Sequence, residues 1–152
     1  MKTAYKIGLV AGAAMLMLLM PARGRAEQLE KFDGYIVHYN ALSADQLAPE
    51  VAQAYKLQRS GHRGLVNIAV QKDNGTAEPT PVAATITGSA TNLSGQRTTL
   101  ALREIKEDGA VYYLGEFPVG SGTDTYRFQI DVKPDGATRA HTLKFSKNYV
   151  TD

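Results

Sequence analysis

Apolar and polar positions alternate along most of this chain with a period of two, the spacing of strands that have one buried and one wet face. The pattern is strictest from Tyr126 to Val132, where Tyr126, Phe128, Ile130 and Val132 alternate with Arg127, Gln129 and Asp131. Val66, Ile68 and Val70 alternate with Asn67, Ala69 and Gln71, and Leu143 and Phe145 with Thr142 and Lys144. Val111, Tyr113, Phe117 and Val119 share one parity, with Gly115 between them marking a bulge or a close approach. Shorter strands are expected about Phe32 to Asn40, Val82 to Ala90 and Thr98 to Ile105. Turn residues fall between the runs: Asp73-Asn74-Gly75, Ser94-Gly95, Asp108-Gly109, Gly120-Ser121-Gly122 and Pro134-Asp135-Gly136. About seven short strands so spaced predict an all-β antiparallel sandwich.

One helix interrupts the pattern. Leu47, Val51 and Tyr55 recur every four residues between the first two expected strands. Ser43 and Gln46 are spaced as a capping box, but Pro49 lies inside that window and favours a start nearer Ala48. A short helix of about two turns, ending before Arg59, is expected. Asp124-Thr125-Tyr126-Arg127-Phe128 resembles the tyrosine corner of immunoglobulin-like domains, in which a tyrosine opening the penultimate strand bonds back to nearby backbone. Phe128 stands where such domains carry a disulfide cysteine.

The N-terminus follows a different rule. Lys2 and Lys6 precede an apolar run from Ile7 to Met20, and Gly24-Arg25-Ala26 then supplies small residues at the positions a signal peptidase reads. The run is shorter than the ~20 residues of a membrane-crossing helix. Residues 1–26 are therefore expected to be a cleaved secretory signal, residues 27–152 a single sandwich domain with no transmembrane segment, and the location periplasmic.

Removing that signal changes the charge and the available chemistry. Lys2, Lys6, Arg23 and Arg25 lie within it, so 13 of the 17 basic residues remain against all 15 acidic ones, and a formal charge of +2 becomes −2. A general attraction to nucleic acid loses its basis. All four methionines go with the signal, and the chain has no cysteine or tryptophan. Disulfides, thiol nucleophiles, cysteine-ligated zinc, iron–sulfur clusters and soft-ligand copper carriage are thereby excluded for residues 27–152.

Few residues remain that could do chemistry. His38, His62 and His141 show none of the close spacings of sequence-local zinc pairs, so no metal and no cofactor are expected. No Gly-x-Ser-x-Gly elbow occurs; Gly120-Ser121-Gly122 lacks the spacing. The densest unexplained polarity is Arg59-Ser60-Gly61-His62-Arg63-Gly64. Two arginines beside glycines could cradle a small anionic ligand or an acidic partner loop, or could pin the loop itself. Tyr35, Val37 and Tyr39 share a face of the first expected strand. At a sheet edge they would suit strand addition by a partner; in the interior they would be core.

The runs His38-Tyr39-Asn40, Arg59-Ser60 through Arg63-Gly64-Leu65-Val66-Asn67, Tyr112-Tyr113-Leu114-Gly115-Glu116-Phe117 and Leu143-Lys144-Phe145 resemble, in order and spacing, a family of small exported gammaproteobacterial proteins known only as a domain of unknown function. The similarity spans nearly all of residues 27–152, although Tyr149-Val150-Thr151-Asp152 departs from the family's doubled-aromatic ending. The resemblance implies a periplasmic immunoglobulin-like sandwich and directs attention to His38, Asn40, Arg59, Arg63 and Asn67. With His62 from the loop, these six are the candidate ligand or partner contacts. The expectation is an exported, non-enzymatic binding or adaptor domain of the cell envelope, whose partner is an envelope protein or a small anion. The alternative is a small-ligand, metal-binding or enzymatic protein using His38, His62 or His141 with the Arg59–Arg63 loop.

Overall fold

A computed structural model describes residues 28–152; the expected signal lies outside them. The strands are β1 (Gln28–Phe32), β2 (Tyr35–Ser43), β3 (Arg63–Lys72), β4 (Thr80–Pro81), β5 (Ala84–Thr91), β6 (Arg97–Thr99), β7 (Ala101–Glu107), β8 (Ala110–Pro118), β9 (Gly122–Pro134) and β10 (His141–Thr151). A 3₁₀ turn over Ala44–Gln46 and the helix α1 (Pro49–Ala54) join β2 to β3. The first sheet runs β1-β2-β3-β8-β7, with β4 also paired to β3, and the second runs β10-β9-β5-β6. All pairings are antiparallel. Setting β1 aside, β2-β3-β8-β7 reproduces the A-B-E-D sheet of an immunoglobulin domain, and β10-β9-β5-β6 its G-F-C-C′ sheet.

Ten strands replace the expected seven, for three reasons. Asp33 and Gly34 have φ of 45° and 80° and form a two-residue turn of the kind that joins tightly paired strands, so the expected strand from Phe32 is in fact the hairpin of β1 and β2. The helix therefore lies between the second and third strands. The run Thr98–Ile105 breaks at Leu100, where the chain passes from the second sheet (β6) to the first (β7). Leu100 is buried there, and its N–H donates to the Gly88 carbonyl at 2.9 Å. The short β4 is the third addition. The capping box does not form: Ser43 makes no side-chain cap bond, and α1 starts with Pro49 at its first turn and Ala48 as N-cap.

The two sheets enclose one apolar core in which Val37, Val66, Ile68, Val70, Ile130, Val132 and Leu143 are completely shielded from solvent. The place of the missing disulfide is filled by aromatics. Phe117 lies 5.4 Å from both Tyr126 and Phe128 and 5.7 Å from Tyr149, centroid to centroid. The aromatic geometry of such clusters adds to simple burial. Gly115 marks a close approach and not a bulge, since pairing with Val66 and Leu102 runs through it and a Cβ there would lie 2.8 Å from Leu102 Cδ2.

The tyrosine corner is present. Gly120 N–H donates to the Tyr126 hydroxyl at 3.1 Å, tying the β8–β9 connection to the start of β9. Tyr126→Phe keeps the ring and strands that N–H, so a loss of about 1 kcal/mol is expected in denaturant unfolding. An unchanged midpoint would show that the hydroxyl contributes nothing to the corner.

β2 is paired on both sides, and Val37 and Tyr39 point into the core. Strand addition at β2 is thereby ruled out. The sheet edges are β1, β7 and the short β4 in the first sheet and β10 and β6 in the second.

A second, smaller apolar cluster lies on the outer face of the first sheet. There Leu42, Leu65 and Leu114 are covered by Leu47, Val51, Ala52, Tyr55 and Leu57 from the α1 segment. Tyr55 donates to Glu107 Oε2 at 2.5 Å, and Arg103 Nη2 donates to the Tyr55 carbonyl. The segment is thus clamped to β7, and the cover ends where the polar part of that face begins.

Candidate functional site

The alternation that buries Val66, Ile68 and Val70 turns Leu65, Asn67, Ala69 and Gln71 outward. Register then sets their neighbours. Asn67 is opposite Asn40 on β2 and Leu114 on β8, while Ala69 is opposite His38 and Tyr112. His38, Asn40 and Asn67 therefore share one half-buried polar strip, bounded by the helix-covered leucines at one end and Gln71 at the other. His38 Nε2–H donates to Gln71 Oε1 at 2.9 Å, an arrangement that selects the Nε2-protonated tautomer. Asn67 Oδ1 is buried and has no hydrogen-bond partner among the described residues. An unsatisfied buried acceptor costs about 1–3 kcal/mol, and native folds keep few of them.

The other candidates gather at the opposite end of β3. Arg59 Nε donates to the Leu47 carbonyl at 2.8 Å and its Nη2 to the Asp45 carbonyl at 3.1 Å, so the guanidinium pins the loop before α1. Arg63 shares the outer face but is directed toward Glu116, with Nη1 3.9 Å from Oε1 and both side chains partly exposed. An exposed pair at that distance is weak. His62 is exposed; its Nδ1 lies 3.4 Å from the Val119 carbonyl, and its own carbonyl accepts from Val119 N–H at 2.8 Å. His38 lies opposite Ala69, six residues along β3 from Arg63, which is about 20 Å at strand rise.

His141 occupies a third place, at the rim where β1 and β10 close the sandwich. Its Nε2 is 2.7 Å from Glu30 Oε2, and its ring stacks on Phe32 at 4.2 Å. Tyr39 donates to the other oxygen of Glu30 at 3.2 Å. Burial, with Glu30 adding to it, raises the Tyr39 phenol above its ordinary value. The described residues contain no group of three His, Asp or Glu side chains placed to hold a metal ion. None of their helices is long and apolar enough to cross a membrane.

Sequence reasoning missed two of these partners for different reasons. Gln71 was readable, because it shares the parity of Asn67. Glu30 was not, because its contact with His141 joins residues 111 positions apart.

An antiparallel immunoglobulin-like sandwich with a polar strip on one outer face is the class of protein that fold and site define. The DUF4426 family, described as a domain of unknown function, matches residues 29–152, and this chain belongs to it. A DUF4426 family protein from Pseudomonas aeruginosa PAO1, known from a 2.09 Å crystal structure, is 36% identical with a TM-score of 0.68. The match covers 83% of this chain and 96% of that one. No curated protein matches the chain.

Proposed function

We propose that the protein is an exported, non-enzymatic binding or adaptor domain of the bacterial cell envelope, and that it meets a partner protein with the His38, Asn40 and Asn67 strip. The N-terminal pattern of charge, apolar run and small residues supports export to the periplasm. The observation that carries the binding reading is the unsatisfied Asn67 carboxamide oxygen on an outer face. A fold that tolerates this cost gains from it only when a donor arrives, and a backbone N–H or hydroxyl of a partner is such a donor. The side-chain amide of Asn40, directly across from Asn67, adds a second hydrogen-bonding group at the same place.

The test is site-specific photo-crosslinking in living cells of the source organism. A photoreactive residue at position 40 is expected to trap one discrete partner, and one at Thr87, on the other sheet, is not. The adduct should disappear in Asn67→Leu. Equal yields from both positions, or an adduct indifferent to Asn67→Leu, would refute the reading.

A second reading draws on the contact between His141 and Glu30, a histidine–carboxylate pair of the kind that transfers protons in enzymes. It places small-molecule chemistry at the rim of the sandwich. If that reading is right, Glu30→Gln should abolish binding or turnover of a small ligand while the strip variants leave it unchanged.

A further inference from the structure

The outer face of the second sheet carries a separate group of residues that the proposed function leaves unused. Arg97 on β6, Thr91 on β5, Arg127 on β9 and Ser146 on β10 stand in one cross-strand row; one step along, Ser89 stands beside Gln129 and Lys144. These side chains line a depression of about 490 Å³. That volume lies within the range of small-ligand sites.

Three features of this depression point to an anion. Arg97, Arg127 and Lys144 form no ion pair with a carboxylate among the described residues. The carboxylate on the same face of β9, Asp131, lies beyond Gln129 and already accepts a hydrogen bond from Thr142 at 2.5 Å. Ser89, only 4% exposed, lines the depression from below with a hydroxyl. Residues 27–152 carry net negative charge, so three unpaired cations on one face represent segregation and not a general excess.

The donor set narrows the class of anion. Two guanidinium forks, an ammonium and the hydroxyls of Ser89, Thr91 and Ser146 offer more donors than a two-oxygen carboxylate can use. Phosphoryl groups carry three or more acceptor oxygens and up to two charges, and arginine forks match their geometry. Arg97 and Arg127 are two strand spacings apart, about 10 Å, with Thr91 between them. The geometry points to a phosphoryl-binding site on the outer face of the second sheet, with Arg97, Arg127 and Lys144 as its cations and Ser89 at its floor. This face is on the opposite side of the sandwich from the His38–Asn67 strip, so the two proposals stand or fall separately.

Inorganic pyrophosphate and lipid vesicles test the site and separate two sources of phosphoryl group. Titration of the purified protein with pyrophosphate at low salt, followed by amide NMR, is expected to shift Ser89, Thr91, Arg127 and Ser146 in a saturable way that weakens as salt rises. Arg127→Gln with Lys144→Gln should weaken binding at least tenfold while the melting temperature stays within about 2 °C. Arg97→Gln, on the edge strand, gives an independent variant should the double one misfold. Co-sedimentation with phosphatidylglycerol vesicles but not phosphatidylcholine vesicles, lost in the same variants, would assign the phosphoryl group to a lipid headgroup. Pyrophosphate binding without vesicle association would assign it to a free phosphate ester. Binding of neither probe, variants that bind like the wild type, or shifts spread over Lys31, Lys56 and Lys106 would overturn the site.

Discussion

Gly64→Val is expected to destabilise the protein by about 3–4 kcal/mol, at and beyond the upper end of ordinary overpacking penalties. Gly64 is the second residue of β3, and the far end of the ring of its partner Phe117 on β8 lies against it. A Cβ at position 64 would sit 2.1 Å from Phe117 Cζ and 2.6 Å from both Cε atoms. The ring cannot withdraw, because Tyr126, Phe128 and Tyr149 surround it and only 2% of Phe117 is exposed. Close-packed interiors leave no void to receive it. For a domain of this size the loss corresponds to a melting temperature lower by more than about 10 °C.

Gly115→Ala is the control. Its new Cβ would meet the end of the Leu102 side chain, which is only partly buried and can turn aside. A loss below about 1 kcal/mol is expected there. Adding Phe117→Leu to Gly64→Val should recover part of the penalty, giving a coupling that separates steric contact from two independent losses. Equal losses at Gly64 and Gly115 would contradict the wedged ring.

Tyr113→Phe is expected to cost about 2 kcal/mol and to flatten the alkaline arm of the stability profile. The Tyr113 hydroxyl joins the two sheets: it accepts from Ala84 N–H on β5 at 2.7 Å and donates to Glu104 Oε2 on β7 at 2.7 Å. Phenylalanine preserves the ring and leaves the Ala84 N–H without its partner, the costly half of a broken hydrogen bond. Burial, with Glu104 adding to it, pushes the Tyr113 phenol up to about 12. Unfolded, the same phenol titrates near 10. The folded state thus holds the proton more tightly, so its contribution is complete below pH 10 and is lost as pH rises toward 12.

Tyr39, Tyr55 and Tyr112 are also raised, chiefly by burial, and titrate in the same sense. The variant's alkaline slope should therefore be reduced and not abolished, by at most about 1.4 kcal/mol per pH unit. At the acid end the hydrogen bond from Tyr113 holds the Glu104 carboxyl below its usual range, so the contribution of that bond fades as pH falls. Unfolding midpoints measured from pH 8 to 12 check the main effect. Parallel curves for wild type and variant would contradict the assignment.

The strands that could be read from the sequence are those with one dry and one wet face. β9 announces itself because Tyr126, Phe128, Ile130 and Val132 are all buried while Arg127, Gln129 and Asp131 face water. The crossing at Leu100 carries no such mark, since β6 and β7 keep similar local patterns while changing sheets. The Asp33-Gly34 turn was readable in principle, as Asp-Gly between apolar neighbours is a strong hairpin signal. In one continuous strand Phe32 and Tyr35 would lie on opposite faces; the turn instead pairs them across the hairpin.

The candidate site was legible in the same partial way. Parity alone places Asn67 on the wet side of β3, but that Asn40 stands across from it depends on a register that a one-residue slip would invert. The role of Arg59 was hidden for another reason. Its acceptors are the carbonyls of Asp45 and Leu47, which any residue carries and no sequence pattern marks.

The most direct test of the binding account is the unfolding free energy of Asn67→Leu beside wild type, measured by denaturant titration at neutral pH. If the carboxamide is kept unsatisfied for a partner, leucine beside Leu114 removes a buried unpaired oxygen and adds apolar contact. A gain of about 1 kcal/mol is then predicted, together with loss of the crosslink from position 40. A loss of 1 kcal/mol or more would mean that Asn67 serves the fold itself, and the strip would no longer stand as the binding face.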